Sequence, residues 1–578
     1  MLRKTLLATA AIAAIAASLA ACGGGSTAAA TVPGTNYTAA RALATATPIK
    51  HVVVLYQENV SFDHYFATYP NATNPTGEPA FTAKTGTTTP NNLVKANLLT
   101  NNPNYTNTAN GTDAAEPFRL DRTQAATADQ NHAYTAEQQA YDGGLADLFP
   151  KYTGKGTTGG VGAFGTKGQV MGYFDGNTVT GLWNYAQNFA MSDDAYTDTY
   201  GPSTPGALEA VSGQTNGMII GASSKQPFTM AAYSYYINDG QGGYTMINDV
   251  DPSGDVCSST TDNVMMSGKN IGDLLNGKNI SWGGFMGGFN LTVTNPNGTT
   301  GCKRSTFSPV VNSTVADYIQ HHNWFQYYKS TANPTHARPS STLAIGHTLE
   351  TDGKTTDPAN HEYGLQDFFA AVKAGNMPAV AYLKAPAFED GHAGYSDPLD
   401  EQAFVTQVVN FLEQQPQWSS TAVIVTWDDS DGWYDHAFAN TTNPSFDSQA
   451  DQLNGSGVCG KGTPLNGVNG KPVNGRCGPG TRIPFLVISP WAKTNYISNT
   501  PISQASIVRF IEDNWLGGER LGGGSFDATA GSIMDLFNFN QAAGTKTFID
   551  PVQGTVLSQP PAGSLSPAFN VSLFSKQS

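Results

Sequence analysis

The stretch HVVVLYQENVSFDHYF, residues 51–66, decides how the rest of the chain is interpreted. It opens with the apolar run 52–55, which lacks the alternation of a half-exposed strand, so a strand buried on both faces is predicted. The run ends at Gln57, Glu58 and Asn59. Because open α/β sheets carry their sites beyond the carboxyl ends of the strands, a carboxylate and an amide at this point predict a functional site.

Two further buried strands end in polar residues in the same way. Residues 379–383 lead into a segment that contains His392, and residues 422–427 run directly into Asp428 and Asp429. A fourth buried strand is predicted at 484–489, and apolar spacing predicts helices at 180–189, 400–413 and 503–515. Strands that alternate with helices predict an α/β fold with a largely parallel sheet.

The side chains at these strand ends form an oxygen-rich set. Glu58, Asn59, Asp428 and Asp429 offer carboxylate and amide oxygens, which suit a hard divalent cation better than a structural zinc. Each pair also has an ordinary structural interpretation. Glu58 and Asn59 can cap a helix, and the two aspartates can open an Asx turn.

The segment TYGPSTPGALEAVSG, residues 199–213, supplies a candidate nucleophile. Ser203 follows a Gly-Pro turn and immediately precedes a predicted helix, where backbone N–H groups and the helix dipole favour an anion. The alternative is that Ser203 or Thr204 only caps that helix. The segment is not the GxSxG elbow of the α/β-hydrolases.

Histidines in polar segments are candidates for a pocket beside this serine. The adjacent pair His321 and His322, and also His392, lie among aromatic residues and glycines, while His132 and His436 lie in other polar segments. Imidazole can bind a ligand or transfer a proton at physiological pH.

Composition excludes several classes of protein. The chain has 578 residues, of which 39% are hydrophobic and only 13% are charged, against roughly 25% charged in typical soluble domains. Long polar loops are therefore predicted. The net charge of -15 and the absence of a basic stripe argue against nucleic acid, and against an anionic membrane surface, as a partner.

The amino terminus predicts export. Arg3 and Lys4 precede a short apolar segment, which is typical of a secretory signal and too short to span a bilayer. The signal ends in Leu-Ala-Ala-Cys, which resembles a bacterial lipobox and predicts lipidation of Cys22; the alternative is simple cleavage near Ala21. Gly23, in place of Asp, would favour the outer membrane of a Gram-negative cell, so a lipid-anchored or periplasmic protein is expected.

Downstream of residues 1–22 we expect a flexible tether at 23–47, rich in Gly, Ala and Thr, and one catalytic domain with large loop insertions at 48–578. The remaining cysteines are even in number, which in an oxidising compartment predicts two disulfides. Three pairings are possible, and the sequence-local one, Cys257 with Cys302 and Cys459 with Cys477, is favoured. A metal site is disfavoured because no pair has CxxC spacing.

Taken together, the motifs resemble those of the bacterial phosphoesterase family that joins secreted acid phosphatases with phosphatidylcholine-hydrolysing phospholipases C. The resemblance rests on HVVVLYQENVSFDHYF, ADQNHAYTAEQQAYDGG, GPSTP, the HH pair before WFQYY, GHAGYSDPLDEQ, WDDSDGWYDH and PFLVISPWAK, which occur in this order between residues 48 and 515.

The resemblance implies an alkaline-phosphatase-like α/β sandwich, with a central mostly parallel sheet flanked by helices, that binds one divalent metal ion. It implies that Ser203 is the nucleophile and also contacts the metal. The other metal ligands implied are Glu58, Asn59, Asp428 and Asp429. His132, His322 and His392 would line the phosphate pocket, with the choice between His321 and His322 left open.

Two departures favour the acid phosphatase branch. Phospholipase C members resemble GPTxPNR at the nucleophile, whereas this chain has GPSTPGA; it also has Gln504-Ala505-Ser506 where those members often have His-Thr-Ser. The expected activity is hydrolysis of phosphomonoesters through a phosphoserine, with an acidic pH optimum if a pocket histidine must be protonated. The alternatives are a phospholipase C acting on phosphatidylcholine-like diesters and a lipid-anchored surface protein that binds a ligand without turnover.

Overall fold

The computed structural model describes residues 44–220, 228–541, 544 and 546–561. The predicted signal segment and the lipidation site at Cys22 lie outside the described residues, as does most of the expected tether. Ala46 and Thr47 are already bound to the body of the protein, because the backbone N–H of Ala46 donates to Asn514 O at 3.0 Å and that of Thr47 donates to Asn514 Oδ1 at 3.0 Å.

An eight-stranded sheet forms the centre of the fold. Its strands are β1 (His51–Gln57), β2 (Ala190–Ser192), β3 (Trp282–Met286), β4 (Glu362–Gly364), β5 (Val380–Lys384), β6 (Thr421–Trp427), β7 (Phe485–Ile488) and β8 (Tyr496–Ser498). The strands lie in the order β4–β3–β5–β1–β6–β7–β2–β8. All neighbours are parallel except β7, which runs antiparallel to both β6 and β2. The predicted α/β fold with a mostly parallel sheet is confirmed.

Strand β1 lies in the middle of this sheet, and each of its residues is buried. Its register aligns Leu55 with Leu383 of β5 and Gln57 with Trp427 of β6. The carboxyl ends of β1, β5 and β6 therefore lie side by side. The polar residues that follow these strands in the sequence are consequently delivered to one edge of the sheet.

The longer helices of the described residues accompany the sheet, and four of them were predicted from the sequence. They are α1 (Phe62–Phe66), α2 (Tyr134–Tyr141), α3 (Thr180–Asn188), α4 (Ser203–Ser212), α5 (Ile271–Gly277), α6 (Leu365–Lys373), α7 (Pro398–Glu413) and α8 (Ala505–Trp515). Helix α7 begins earlier than expected because Asp397 caps it, accepting from Leu399 N at 2.8 Å. Helix α8 begins later because Ile502–Ser503 pairs as a short strand with Ala195–Tyr196.

The long polar loops carry small elements of their own. A five-stranded sheet contains Asn216–Ile220, Tyr236–Asn238, Tyr244–Met246, Asp251–Pro252 and Asn263–Met266. Two-stranded ribbons pair Phe118–Leu120 with Gly172–Phe174, Ser305–Ser308 with Ser313–Ala316, and Phe548–Ile549 with Val556–Leu557. Short α-helices are Leu93–Ala96, Pro103–Thr106 and Phe149–Tyr152. Single 3-10 turns include Gln320–His322 and Ala387–Glu389 beside the sheet edge.

Two disulfides join Cys257 to Cys302 and Cys459 to Cys477. This is the sequence-local pairing that the spacing favoured. Within the described residues, no helix combines the length and the apolar character that a membrane crossing requires.

Candidate active site

Ser203 lies at the centre of the polar cluster on the carboxyl edge of the sheet. Its Oγ is 3.0 Å from Glu58 Oε2, 3.3 Å from Asn59 Oδ1 and 3.3 Å from Asp429 Oδ2. Glu58 and Asn59 follow β1, Asp428 and Asp429 follow β6, and Ser203 is the first residue of α4. The five predicted ligands are thus brought together from three distant segments, and all are buried.

The backbone turns sharply at Asn59 to bring its side chain beside that of Glu58. Asn59 has a φ of 60°, in the left-handed region that asparagine tolerates better than most residues. Its backbone N–H donates to Asp428 Oδ1 at 3.0 Å, which ties the ends of β1 and β6 together. The capping interpretation of Glu58 and Asn59 is wrong, because Ser61 caps α1.

Asp428 and Asp429 accept hydrogen bonds that shape the turn after β6, and Asp429 also faces Ser203. Asp429 Oδ1 accepts from Asp431 N at 2.6 Å, which is the predicted Asx turn, while Asp429 Oδ2 faces Ser203. Asp428 Oδ1 also accepts from Asp429 N at 2.8 Å. The turn therefore redirects the second carboxylate, which an extended strand would have aimed at the opposite face.

Helix α4 presents Ser203 without using it as a cap. Pro202 occupies the capping position, and no side-chain hydrogen bond caps the helix. The backbone N–H of Thr204 donates to Asp249 Oδ1 at 2.9 Å, so this first-turn donor is already engaged. The interpretation of Ser203 as a cap is wrong, and the expected contribution of this N–H to anion binding is reduced.

Gly206 allows α4 to approach the end of β6. A Cβ at Gly206 would lie 2.1 Å from the carbonyl oxygen of Asp428, so any side chain here would displace the helix from the cluster. Tyr56 Oη donates to Gly206 O at 2.7 Å and accepts from Gln504 Nε2 at 2.8 Å. The distance between Ser203 and the aspartates therefore depends on this glycine.

The oxygen atoms of the cluster crowd one another, as expected for ligands of a cation. The Asn59 side-chain atom that faces the cluster is 2.7 Å from Glu58 Oε2, 3.3 Å from Asp428 Oδ1 and 3.2 Å from Asp429 Oδ2. With oxygen in this position the four atoms repel unless a cation lies among them; with the amide rotated, its nitrogen donates to all three carboxylates. A hard divalent cation fits this donor set.

The charge of the cluster leads to the same conclusion. Burial, together with the nearby Glu58 carboxylate, raises the pKa of Asp428 to about 7, and burial raises the pKa of Asp429 well above its usual value. These shifts mean that the buried carboxylates carry more negative charge than their protein surroundings compensate. A bound divalent ion would remove that excess.

Lys384, at the last position of β5, is a site residue that the sequence analysis missed. Its ammonium contacts Glu58 Oε1 and lies 3.6 Å from Asp428 Oδ2, and the side chain is 1% exposed. Burial opposes ionisation of Glu58, but the Lys384 charge and the hydrogen bonds from Asp428 and Lys384 together hold the pKa of Glu58 below its usual value. A lysine at the carboxyl end of an otherwise apolar strand was the available signal.

Glu137 of α2 is a second residue that was missed. Its Oε2 accepts from the Gly201 backbone N–H at 2.9 Å, and its Oε1 accepts from Ser430 Oγ at 2.5 Å. Burial raises its pKa to about 7. Glu137 thereby links the turn before Ser203 to the turn after Asp429, and it lies on the helix that follows His132.

Two of the predicted pocket histidines are neutral and lie against the cluster. His322 Nδ1 is 3.0 Å from Glu58 Oε1, and burial, with the charges of His321 and Lys384, lowers its pKa well below the usual value. His392 Nδ1 lies 2.6 Å from Ala393 O, and burial lowers its pKa as well. The two rings are parallel, with centroids 6.4 Å apart.

His132 differs from these two because it holds a proton. Its Nδ1 lies 3.0 Å from Gln130 O and 3.1 Å from Asp431 Oδ1, while its Nε2 lies 3.4 Å from Asn59 Nδ2. Burial opposes protonation, but the Asp429 and Asp431 carboxylates raise the pKa of His132 well above its usual value. His132 is therefore a charged donor beside the cluster.

The remaining candidate histidines lie beside other carboxylates. The side chain of His321 is 29% exposed, and its Nδ1 lies 3.8 Å from Asp251 Oδ1. His322, not His321, is the member of the pair that contacts Glu58. His436 lies outside the cluster, where its Nδ1 is 2.5 Å from Asp63 Oδ2.

Comparison with known proteins identifies the family to which the chain belongs. A profile of the Phosphoesterase family matches residues 49–516, so the chain belongs to the Phosphoesterase family. All the cluster residues described above lie within the matched range.

Curated relatives are phospholipases C at low identity. The chain is 33% identical to the non-hemolytic phospholipase C of Burkholderia pseudomallei over 143 residues, which is 24% of this chain and 19% of that protein. It is 22% identical to phospholipase C B of Mycobacterium tuberculosis over 525 residues, which is 85% of this chain and 78% of that protein. The alignments with the Burkholderia enzyme and with two Pseudomonas aeruginosa phospholipases C span only about a fifth to a quarter of those proteins.

Among solved structures, a mutant of the alkaline phosphatase PafA is similar with a TM-score of 0.29 and 11% identity. The similarity covers 62% of this chain and 94% of that one. At this score the likeness carries no argument, and the assignment of fold rests on the sheet described above.

The affinity of the metal-free protein for a divalent cation is predicted to be lower at low pH. The pKa of Asp428 is about 7 without metal, so this carboxylate is protonated below that pH and a proton must leave before an ion binds. We expect the affinity for Mn²⁺, measured by isothermal titration calorimetry, to be roughly tenfold lower at pH 6 than at pH 8. An affinity that does not change between these pH values would contradict the proposed cluster charge.

Proposed function

We propose that the protein is a metal-dependent acid phosphatase that hydrolyses phosphomonoesters through a phosphoserine formed on Ser203. The observation that carries this proposal is the position of Ser203 Oγ. It lies within 3.3 Å of oxygen atoms of Glu58, Asn59 and Asp429. Ser203 is the first residue of α4, and no side chain caps this helix by a hydrogen bond. A serine that were merely structural would not need three buried acidic or amide partners.

One oxygen-ligated divalent ion would be held by the cluster. The residues proposed to hold it are Glu58, Asn59, Ser203, Asp428 and Asp429. When bound, the ion would supply positive charge that favours ionisation of the Ser203 hydroxyl and stabilises charge on the phosphoryl oxygens.

In the first step, Ser203 Oγ attacks phosphorus and its proton leaves toward Glu58 Oε2, the nearest carboxylate oxygen. The bond between phosphorus and the leaving oxygen breaks, and His132 Nε2 gives that oxygen a proton. In the second step a water attacks the phosphoserine, neutral His132 accepts the water proton, and the bond between Ser203 Oγ and phosphorus breaks. The leaving serine oxygen takes back the proton that Glu58 Oε2 received in the first step, so the enzyme and its charge are restored.

His322 and His392 would bind the phosphoryl group rather than give a proton to the leaving oxygen. Neutral His322 and His392 lie on the same edge of the cluster, and their lowered pKa values make them poor proton donors at acidic pH. We assign them to the pocket that receives the phosphoryl group. This division of roles follows the rule that neighbouring groups with pKa values pushed apart take different parts in catalysis.

The nucleophile helix favours the phosphatase branch. The motif of the phospholipase C members has Asn and Arg where this chain has Gly206 and Ala207. A side chain at Gly206 would collide with the backbone of Asp428, so α4 approaches the cluster in a way that the phospholipase motif would not permit. The second candidate function is a phospholipase C, which the names of the curated relatives favour.

We further propose that the protein is exported and acts outside the cytoplasm. Two disulfides support this, because such bonds persist in oxidising compartments. Lipidation of Cys22, with residues 23–47 as the tether, would hold a catalytic domain at the outer membrane or in the periplasm. The substrate would then be a small phosphoester or a phospholipid, and not a nucleic acid.

The substrate class is tested by direct comparison of two chromogenic esters. We expect hydrolysis of p-nitrophenyl phosphate with a kcat/KM at least tenfold above that for p-nitrophenyl phosphorylcholine, because the proposal assigns the site to monoesters. A preference for the phosphorylcholine diester would move the protein to the phospholipase C branch. Hydrolysis of neither ester would contradict the whole proposal.

The role of His132 is tested by leaving groups of different quality. His132→Gln is expected to lose about 10²- to 10⁴-fold in kcat on glycerol phosphate, whose alkoxide needs a proton, and much less on p-nitrophenyl phosphate. Because the raised pKa keeps His132 protonated above pH 6.5, the wild-type rate on glycerol phosphate should fall only at a pH above that value. His436→Gln, outside the cluster, is the matched control, and equal losses on both esters would remove His132 from the role of acid.

A further inference from the structure

Lys384 is the charged residue whose position the proposed reaction does not explain. It lies at the carboxyl end of β5, level with Met286 of β3, and it is buried by its neighbours. Its ammonium and His322 Nδ1 both contact Glu58 Oε1. The ammonium thus contacts the side of the carboxylate cluster opposite Ser203.

The two oxygens of each carboxylate point to different partners. Glu58 Oε2 lies 3.0 Å from Ser203 Oγ, whereas Glu58 Oε1 contacts Lys384. Asp428 Oδ1 faces the Asn59 side chain at 3.3 Å, whereas Asp428 Oδ2 lies 3.6 Å from Lys384 Nζ. The Lys384 ammonium thus contacts one oxygen of each carboxylate. His322 Nδ1 also lies 3.0 Å from Glu58 Oε1, and the backbone N–H groups of Asn59 and Asp429 donate to Asp428 Oδ1, so Lys384 acts together with these groups in orienting the two carboxylates.

The contact of Lys384 with Glu58 and Asp428 matters because the cluster contains more negative than positive charge. Glu58, Asp428 and Asp429 are all buried, and three buried carboxylates repel one another strongly in a medium of low dielectric constant. Lys384 offsets one of the three formal negative charges of Glu58, Asp428 and Asp429, and without it the cluster carries one more uncompensated negative charge. Buried charges are stable only when they are paired.

We propose that Lys384 is a positioning residue, a built-in cation that holds the carboxylates of the metal-free cluster in place until the divalent ion binds. This inference rests on the proposed metal site. It predicts that Lys384 contributes more to the stability of the metal-free protein than to that of the metal-loaded protein. A residue that only fills space would contribute equally to both.

The experiment compares melting temperatures of the full-length protein at pH 8, after chelation and after saturation with Mn²⁺. Lys384→Met keeps much of the volume and removes the charge, and Lys384→Arg keeps the charge. Arg304→Met is the matched control, because Arg304 is also buried but pairs with Asp317, its Nε lying 2.9 Å from Asp317 Oδ2, away from the cluster. Mn²⁺ titrations of each protein give the affinity as a second readout.

We expect Lys384→Met to lower the melting temperature of the chelated protein by roughly 3 to 5 °C more than that of the Mn²⁺-loaded protein. Lys384→Arg should restore most of that difference, and Arg304→Met should lower both forms equally. A Lys384→Met variant that folds only when Mn²⁺ is present would support the inference in its strongest form. If Lys384→Met folds neither with nor without Mn²⁺ and Lys384→Arg is also unfolded, the inference is contradicted, because a positive charge at this position would then not be sufficient for folding.

Two further results separate this inference from the proposed function. If wild-type protein gains melting temperature with Mn²⁺ and Lys384→Met loses the same amount in both forms, only the role of Lys384 is overturned. If wild-type protein neither binds Mn²⁺ nor gains stability from it, the proposed metal site fails and this inference fails with it.

Discussion

The structure depends on one electrostatic constraint, the convergence of buried carboxylates at the carboxyl edge of a parallel sheet. Glu58 and Asp428 are neighbours because β1 and β6 pair in parallel with Gln57 level with Trp427. The register of the two central strands therefore brings like charges together, and the rest of the site can be understood as compensation. Lys384, the protonated His132 and the proposed divalent ion all supply positive charge to this edge.

A second constraint is steric, and it determines the position of the nucleophile. Ser203 reaches the carboxylates because Gly206, one turn along the same helix, lets α4 lie against the backbone of Asp428. Glu137 then ties the turn before Ser203 to the turn after Asp429. The geometry around Ser203 Oγ is thus fixed by backbone contacts from two sides, which is how a reactive group is held without reliance on flexible side chains.

The sequence predicted the features that follow from local patterns. Apolar runs identified β1 and β6, and the fold class followed from their alternation with helices; the residues after each strand identified Glu58, Asn59, Asp428 and Asp429. The roles of these residues are still proposals. The sequence could not predict which strands are neighbours, because pairing over more than 300 residues leaves no local signal.

The same limit explains what was missed. Lys384 looked like an ordinary residue at the end of β5, and only the register with β1 and β6 shows that its ammonium contacts Glu58. Glu137 looked like a polar helix residue, and the protonation states of His132, His322 and His392 depend on burial and on carboxylates distant in sequence. The engagement of Thr204 N–H by Asp249 likewise needed the structure.

The most direct test of the central claim is chemical trapping of the phosphorylated enzyme. His132→Gln should form the intermediate from p-nitrophenyl phosphate, whose leaving group needs little protonation, and should hydrolyse it slowly because the general base is missing. After acid quenching and proteolysis, mass spectrometry should find the phosphoryl group on Ser203, and the double variant that also carries Ser203→Ala should yield none. Phosphate on another residue, or turnover that survives in Ser203→Ala alone, would contradict the account.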